Sequence, residues 1–312
     1  MKDLKIVFMG TPEFAATTLE KLVDADYNVV GVITAPDRPA GRGRKLQESA
    51  VKKYSESKGL KVLQPTNLKN EQFLEELKSL NANLQIVVAF RMLPKAVWAM
   101  PEYGTFNLHA SLLPHYRGAA PIQRAIMNGE RETGLTTFII RKLVDTGSIL
   151  MRVKVPINDS DTYGTLSEKM SKKGAYLLLE TLNRLKDNSL SPQEQEHSIA
   201  TSAPKIKEGD TRIDWAQPAE IIHNQIRGLA PIPGAFTYWK GMRFKILRSR
   251  INQSNEKKNP GSVAYCDKKQ LIIQAGYGQI KLLTMQREGK KIMETPDFLN
   301  GVDVIIGDTF GD

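Results

Sequence analysis

The sequence predicts an α/β fold in which a doubly wound, Rossmann-like, mostly parallel sheet precedes an OB-like β-barrel. Short apolar runs alternate with amphipathic helical patterns over the first two thirds of the chain. A polar stretch then interrupts this alternation, and beyond it short strand patterns follow one another with turn signals between them. These observations predict a first domain at residues 1–190, a linker at 191–210 and the barrel domain at 211–312.

The first strand, Lys5–Met9, is an apolar run typical of strands that are buried on both faces. Thr11 and Pro12 follow it and predict a helix from Glu13 to about Asp24, with Thr11 as the capping residue. Further strands are predicted over residues 29–34, 61–63, 85–89, 105–109, 135–141 and 147–155. Further helices are predicted over residues 48–57, 70–80 and 162–185. Because helices separate most of these strands, we expect a parallel sheet with helices on both faces.

Short strand patterns dominate the last third of the chain, after a helix predicted from residue 218 to about 229. The strands are expected over residues 236–239, 243–250, 261–265, 271–275 and 280–285. Turn signals separate them at short intervals, as in a small barrel. The preceding residues, 186–210, are rich in Ser, Gln, Glu, Asn and Pro, a composition typical of a linker.

The composition is that of an ordinary globular protein and excludes several classes. The 312 residues suffice for about two domains with a large core. The single cysteine, Cys266, rules out a disulfide within the chain and fits a reducing cytoplasm, and no Cys/His cluster has metal-ligand spacing. The N-terminus lacks a signal-peptide pattern, and no run of about 18 apolar residues exists to cross a membrane. We therefore expect a cytoplasmic protein with no metal and no membrane partner.

The excess positive charge lies near the C-terminus. Residues 240–291 hold 13 Lys/Arg and 3 Asp/Glu, a net charge of +10, which equals the net charge of the whole chain. One interpretation is a solvated basic surface that maintains solubility. The other is a face that binds a polyanion, because clustered basic residues release counterions from phosphates. The charge alone does not favour either interpretation.

The loop after the first strand does not support a nicotinamide cofactor. A dinucleotide site would show the pattern G-x-G-x-x-G between strand and helix. Only Gly10 is present in the segment Gly10–Phe14. The sheet is therefore Rossmann-like in pattern without the glycines that hold a pyrophosphate.

The strongest chemical signal lies at the end of the strand predicted over residues 105–109. Asn107 and His109 point to the same side, because side chains alternate along a strand. An amide donor beside an imidazole suits acyl transfer, in which one stabilises an oxyanion and the other moves a proton. Asp145 is a candidate for the carboxylate that orients the histidine. The alternatives are an ordinary hydrogen-bonded strand end and a turn aspartate.

This region resembles the folate-dependent formyltransferase family over a long and specific stretch. The matching segments are Asn107-x-His109, Ser111-Leu112-Leu113-Pro114, Arg117-Gly118, Pro121-Ile122 and Asp145-Thr146-Gly147. The resemblance implies that Asn107, His109 and Asp145 are catalytic and that 10-formyltetrahydrofolate is the formyl donor. It also implies folate contacts at Ser111, Leu112, Leu113, Pro114, Phe90, Met92 and Leu93. The segments 90–94 and 141–144 depart from the family pattern, as do Ala230 and Ile232.

Three further segments resemble the branch of that family that acts on an aminoacylated tRNA. They are residues 8–14, residues 35–45, and residues 212–215 with 226–231 and 233–235. The resemblance implies that the protein formylates the α-amino group of methionine on the initiator tRNA for translation initiation. It thus extends over nearly the whole chain and implies a catalytic first domain and a tRNA-binding barrel domain.

Basic residues on both predicted domains are the candidate tRNA contacts, because phosphates are bound by such groups. They are Arg38, Arg42, Arg44, Lys45, Lys240, Arg243, Lys245 and Arg248. Taken alone, residues 35–45 fit a mobile surface loop equally well. Phe14 is the candidate for a methionine pocket, although packing of a helix face in the core explains it as well. We expect a monomer.

Two other functions fit parts of the same pattern. One is a formyltransferase that acts on glycinamide ribonucleotide or an amino sugar nucleotide, although neither substrate needs a basic appended domain. The other is an RNA-binding protein with an inactive enzyme domain. The presence of Asn107, His109 and Asp145 together argues against this second alternative.

Overall fold

The computed structural model of the protein describes residues 2–40, 45–254 and 258–311, which form two compact units. The first unit comprises residues 1–118, 133–155 and 167–202. The second comprises residues 119–132, 156–166 and 203–312. The segments 119–132 and 156–166 thus cluster with the C-terminal part of the chain. The domain bounds proposed from the sequence stay a prediction.

The strands up to residue 156 are β1 (Lys5–Gly10), β2 (Asn28–Ile33), β3 (Arg38–Ala40), β4 (Lys45–Gln47), β5 (Val62–Leu63), β6 (Leu84–Val88), β7 (Thr105–His109), β8 (Glu132–Ile139) and β9 (Ile149–Pro156). The later strands are β10 (Ala235–Trp239), β11 (Met242–Asn252), β12 (Val263–Cys266), β13 (Leu271–Gln274), β14 (Gln279–Arg287) and β15 (Met293–Glu294). The helices are α1 (Glu13–Asp24), α2 (Ala50–Ser57), α3 (Glu71–Ser79), α4 (Lys95–Trp98), α5 (Pro121–Met127), α6 (Tyr163–Lys186), α7 (Ala219–Leu229) and α8 (Thr295–Leu299).

The central sheet of the first unit has the order β5-β2-β1-β6-β7-β8-β9. The pairs from β5 to β7 are parallel, whereas β8 runs antiparallel to β7. The chain leaves β1 toward β2 and returns to β6 on the opposite side, so the strand order reverses between β1 and β6. Such a switch point forms a crevice at the carboxyl ends of the strands. The predicted Rossmann-like, mostly parallel fold is confirmed.

The junction of β1 and α1 shows how closely the elements pack beside this crevice. A Cβ atom placed on Gly10 would lie 2.5 Å from the Cβ of Ala15, so only glycine allows this approach of strand and helix. The cap predicted at Thr11 is wrong. Pro12 occupies the N-cap position in an extended conformation, and no side chain caps the helix.

The segment proposed as a flexible cationic loop at residues 35–45 includes β3 and the start of β4, and these two strands pair antiparallel. Asp37 lies just before β3, and its carboxylate accepts hydrogen bonds from Lys52 Nζ at 2.5 Å and Gln64 Nε2 at 2.8 Å. The hydrogen bond from Lys52 lowers the pKa of Asp37. Residues 41–44 lie outside the described residues.

The second unit contains an antiparallel sheet with the order β10-β11-β14-β13-β12. The residues just before the C-terminus bond to both of its edge strands. On one edge Gly311 N–H donates to the Tyr238 carbonyl, and at the other Val263 N–H donates to the Asp308 carbonyl, each at 2.8 Å. These bonds close the sheet, as the predicted small barrel requires, and the OB-like assignment is consistent with them.

The barrel core is aromatic and fully formed within the second unit. The indole of Trp239 stacks on Phe310 with ring centroids 5.9 Å apart, and Phe298 lies edge-on to both Trp239 and Phe244. Helix α7 packs on β11 and β14 and contributes Ile222 to the same core. Burial of these large side chains stabilises a small β domain.

Candidate active site

The carboxyl end of β7 holds the two residues that the sequence singles out. Asn107 pairs with Val87 of β6 and with Phe138 of β8, and its side chain is half-buried. His109, the last residue of the strand, is 6% exposed. The side-chain amide of Asn107 makes no hydrogen bond to any residue that the structure describes. Its donors are therefore available to a ligand on the face that His109 shares.

Three neighbours fix the ring of His109. Its Nε2 lies 2.9 Å from the carbonyl oxygen of Tyr116, and since a carbonyl only accepts, Nε2–H is the donor. Nδ1 consequently faces Asp145, whose Oδ2 lies 3.7 Å away. The ring of Phe138 meets the imidazole edge-on at 6.5 Å. At 3.7 Å, Nδ1 and the Asp145 carboxylate are too far apart for a direct hydrogen bond, and their interaction is electrostatic.

Asp145 reaches His109 by an unexpected route. Because β8 is antiparallel to β7, with Ile139 opposite Phe106, the loop after β8 starts at the amino end of β7. The loop returns across the face of the sheet on which His109 lies. Asp145 sits in it with φ 52°, a left-handed conformation, and its Oδ2 accepts the Gly118 N–H at 2.8 Å. The three predicted catalytic residues are thus brought to one face of one unit.

The loop that carries Asp145 packs tightly against β8. A Cβ atom on Gly147 would lie 1.6 Å from the Ile139 carbonyl oxygen, so no side chain fits there. On the other side, Gln195 donates from Nε2 to the carbonyls of Asp145 and Gly147 at 2.9 and 2.7 Å. Sequence reasoning missed Gln195, because it lies in a polar stretch whose composition indicates only a linker.

The segment after His109 is held by side-chain hydrogen bonds rather than by regular structure. Thr136 is central, because its hydroxyl donates to the Ser111 carbonyl at 2.7 Å and accepts the Leu113 N–H at 3.1 Å. Ser111 donates in turn to the His115 carbonyl at 2.6 Å. Ser111, Leu113 and Pro114 are buried, whereas Leu112 is half-buried. Their contacts with a folate stay a prediction.

The other predicted ligand contacts lie on either side of the switch point. Phe14 is half-buried near the start of α1, after β1, and Phe90 is half-buried after β6. Leu93 is a core residue at 8% exposure, whereas Met92 is 77% exposed. Arg91 donates to the carbonyls of Pro65 and Thr66, and burial lowers its pKa. The folate contacts of Phe90, Met92 and Leu93 and the methionine pocket at Phe14 stay predictions.

The predicted tRNA contacts occupy varied environments. Lys240 forms an ion pair with Asp308 at 3.1 Å, and the guanidinium of Arg243 lies 3.8 Å from the ring centroid of Phe236. Lys245 is half-buried, and Arg38 and Arg248 are exposed. Lys45 belongs to β4, and Arg42 and Arg44 lie outside the described residues.

Within the described ranges, no three or more His, Cys, Asp or Glu side chains gather where a metal ion could bind. No helix found in those ranges combines the length and the apolar character needed to cross a membrane.

Comparison with known proteins defines the class to which this fold and site belong. The sequence model of the formyl transferase family matches residues 4–182, and that of the formyl transferase C-terminal domain matches residues 205–303. The chain therefore belongs to the formyl transferase family. Among curated relatives, the methionyl-tRNA formyltransferase of Parabacteroides distasonis is 47% identical over 99% of both chains. That of Flavobacterium johnsoniae is 45% identical over 97% of both, so the resemblance to methionyl-tRNA formyltransferase is confirmed.

Solved structures show the same fold at lower identity. An N-formyltransferase from Helicobacter canadensis, in complex with folinic acid and dTDP-3-aminofucose, has a TM-score of 0.66 and 22% identity, with 91% of this chain and 99% of that chain covered. HypX from Aquifex aeolicus, in complex with tetrahydrofolic acid, has a TM-score of 0.67 and 16% identity over 99% of this chain. This chain spans about half of HypX, 51% in that complex.

We predict that Gly147→Ala lowers kcat for formyl transfer by about 100-fold, because a misplacement of about 1 Å costs that much at a reacting centre. The added methyl group would collide with the Ile139 carbonyl and push the loop that carries Asp145 away from His109. Steady-state assays of the purified variant provide the measurement.

Gly209→Ala serves as the control, since a Cβ atom on Gly209 would meet nothing within 4 Å. The control should retain normal turnover. A folded Gly147→Ala variant with the same kcat as the control would contradict the close packing of this loop as a requirement for activity.

Proposed function

We propose that the protein transfers the formyl group of 10-formyltetrahydrofolate to the α-amino group of methionine on the initiator tRNA, giving N-formylmethionyl-tRNA for translation initiation. The observation that carries this proposal is the convergence of Asn107, His109 and Asp145 in one unit. This convergence of the three residues is found in a chain that is 43–47% identical over almost its full length to methionyl-tRNA formyltransferases. No metal is needed for this chemistry.

The reaction requires a neutral amine, an oxyanion site and a proton carrier. The α-amino group has a pKa of about 8, so much of it is neutral at cellular pH. Its nitrogen attacks the formyl carbon, and the developing oxyanion is stabilised by the amide of Asn107 and the ring of His109. The bond from the formyl carbon to N10 of the folate then breaks. The proton lost by the amine passes to N10, so that no net charge is gained.

His109 is the proton carrier in this scheme. Its Nε2–H is engaged by the Tyr116 carbonyl, which leaves Nδ1 as the nitrogen that exchanges protons. The carboxylate of Asp145, 3.7 Å away, stabilises the ring while Nδ1 carries a proton. The carboxylate itself stays fixed, because the Gly118 N–H holds its Oδ2.

We expect Asn107→Ala, His109→Ala and Asp145→Ala each to lower kcat by about 100-fold or more, since removing one oxyanion donor costs about 10²–10³ and general acid–base catalysis contributes about 10²–10⁴. Single-turnover formylation of methionyl-tRNA measures the effect. Circular dichroism checks that each variant is folded. A His109→Ala variant that turns over at nearly the normal rate would refute the proposed chemistry.

The barrel presents a basic face suited to the tRNA. Phe244 and Ile246 of β11 point into the core, at 1% and 0% exposure, so the alternate residues point outward. The strand is bulged around residues 246–249, and beyond it Ser249 pairs with the core residue Leu282. The bulge keeps the basic residues of the strand on the outer face: Arg243, Lys245, Arg248 and Arg250.

We predict that the double variant Arg248→Gln/Arg250→Gln weakens tRNA binding and flattens its salt dependence. Each phosphate contact contributes about 0.9 to the slope of log K against log salt, so two lost contacts should reduce the slope by up to about 1.8. Filter binding across a salt series measures both quantities.

Lys78→Gln/Lys172→Gln is the matched control, because it removes two exposed charges of the same sign from helices of the first unit. It should change the slope little. Equal slopes for the two double variants would show that the β11 face does not contact tRNA.

We further propose that the protein acts as a cytoplasmic monomer. Asn107, His109 and Asp145 all come from one chain, so the chemistry requires no second copy. An aminoacyl-tRNA is available where translation takes place, which supports the cytoplasmic location. The predicted folate and tRNA contacts belong to the same proposal.

A further inference from the structure

We propose that Gln195 is a positioning residue for the formyl transfer, because its amide holds the loop backbone that presents Asp145 to His109. This inference rests on the proposed catalytic role of Asp145. Gln195 is 6% exposed and lies fifty residues further along the chain, in the polar stretch before the barrel. Gln195 does not touch the reacting atoms and acts only through the loop.

The Gln195 amide uses both of its hydrogens on this loop. Its Nε2 donates to the Asp145 carbonyl at 2.9 Å and to the Gly147 carbonyl at 2.7 Å. A side-chain amide nitrogen has two hydrogens, so its donor capacity is filled. The two carbonyls lie on either side of Thr146. The Gln195 amide therefore fixes the loop backbone both at Asp145 and two residues beyond it.

Arg117 fixes the orientation of the Gln195 amide. Its Nε and Nη2 both donate to Gln195 Oε1, at 3.2 and 2.6 Å. A guanidinium has only donors and a carbonyl only accepts, so the amide cannot turn over without losing all four hydrogen bonds. Arg117 is held in turn by its N–H to the Thr201 carbonyl at 2.9 Å and by its Nη2 contact with His197 Nδ1.

The segment that carries Gln195 is itself anchored to the sheet of the first unit. Gln193 exchanges two backbone hydrogen bonds with Ile149, the first residue of β9, at 2.7 and 2.8 Å. Residues 193–195 thus link the start of β9 to the loop that precedes it. We call Gln195 and Arg117, together with this anchored segment, the brace.

The loop needs such a brace because the conformation of Asp145 is uncommon. Its φ of 52° lies in the left-handed region, which residues other than glycine seldom adopt. Its Oδ2 lies 3.7 Å from His109 Nδ1, already beyond hydrogen-bond distance, so a small relaxation of the backbone would separate the two groups. The brace opposes this relaxation from the side of the loop carbonyls, while the Gly118 N–H holds the carboxylate.

Two substitutions at Gln195 separate its donor and acceptor roles. Gln195→Leu removes both. Gln195→Glu keeps the shape and an acceptor for Arg117 but, when ionised, has no hydrogen to donate. Both variants should lower kcat by about 10- to 100-fold, since a misplacement of about 1 Å at a reacting centre costs that order. KM for methionyl-tRNA and for the folate should stay within two-fold of normal.

Gln72→Leu is the control, because it makes the same substitution at an exposed side chain of α3, away from the brace. It should leave kcat unchanged. A double variant, Asp145→Asn/Gln195→Leu, tests whether Gln195 acts through Asp145. Its kcat should equal that of Asp145→Asn alone, whereas a merely structural role of Gln195 would lower it further.

The remaining outcomes overturn the inference in distinguishable ways. If Asp145→Asn is inactive but Gln195→Leu turns over normally, the brace is wrong and the proposed function stands. If Gln195→Glu is normal while Gln195→Leu is impaired, the acceptor role toward Arg117 matters and the donor role does not. If Asp145→Asn itself turns over normally, the catalytic role of Asp145 and the brace both fail. Should Gln195→Leu not fold, Gln195→Glu decides, because it retains the contact with Arg117.

Discussion

The approach of Asp145 to His109 is the constraint on which the rest of the site depends. The aspartate comes from a loop that starts at the opposite end of the neighbouring strand and returns across the sheet to place Oδ2 3.7 Å from Nδ1. Three features hold the aspartate in this position: the left-handed backbone of Asp145, the close packing at Gly147 and the buried amide of Gln195. An imidazole with a fixed carboxylate beside it can hold and release a proton at a defined atom. Without that carboxylate, His109 would lack the group that stabilises its ring when Nδ1 carries a proton.

The net positive charge is concentrated in one part of the chain. Residues 240–291 carry the whole net charge of +10, and the remaining residues balance to zero. The unit with Asn107 and His109 holds the groups that we propose for acyl transfer, whereas the barrel has an outward row of basic residues on β11. A bulge in that strand makes the row continuous, because it offsets the alternation that would otherwise turn half of these side chains inward. Basic residues set out in this way suit a long polyanion better than a small amine.

Much of the fold could be predicted because its signals are local. The strand from Lys5 and the helix from Glu13 to Asp24 were predicted to within a residue from apolar periodicity. Asn107, His109 and Asp145 could be found by resemblance, and strand alternation put the first two on one side. The path of the Asp145 loop and the role of Gln195 could not be predicted from the sequence. Hydrogen bonds between side chains and distant carbonyls leave no periodic pattern in it. The grouping of residues 119–132 with the C-terminal unit reflects packing between α5 and α7, which the apolar periodicity of either helix does not reveal.

A structure of the protein with a stable analogue of the formyl donor would test the central claim most directly. We expect the formyl oxygen to lie about 3 Å from a donor of Asn107 and from the ring of His109, the range required for an oxyanion site. We also expect Asp145 to remain beside the same ring. A formyl group bound out of reach of Asn107 and His109, or an Asp145 carboxylate turned away from the imidazole, would contradict it.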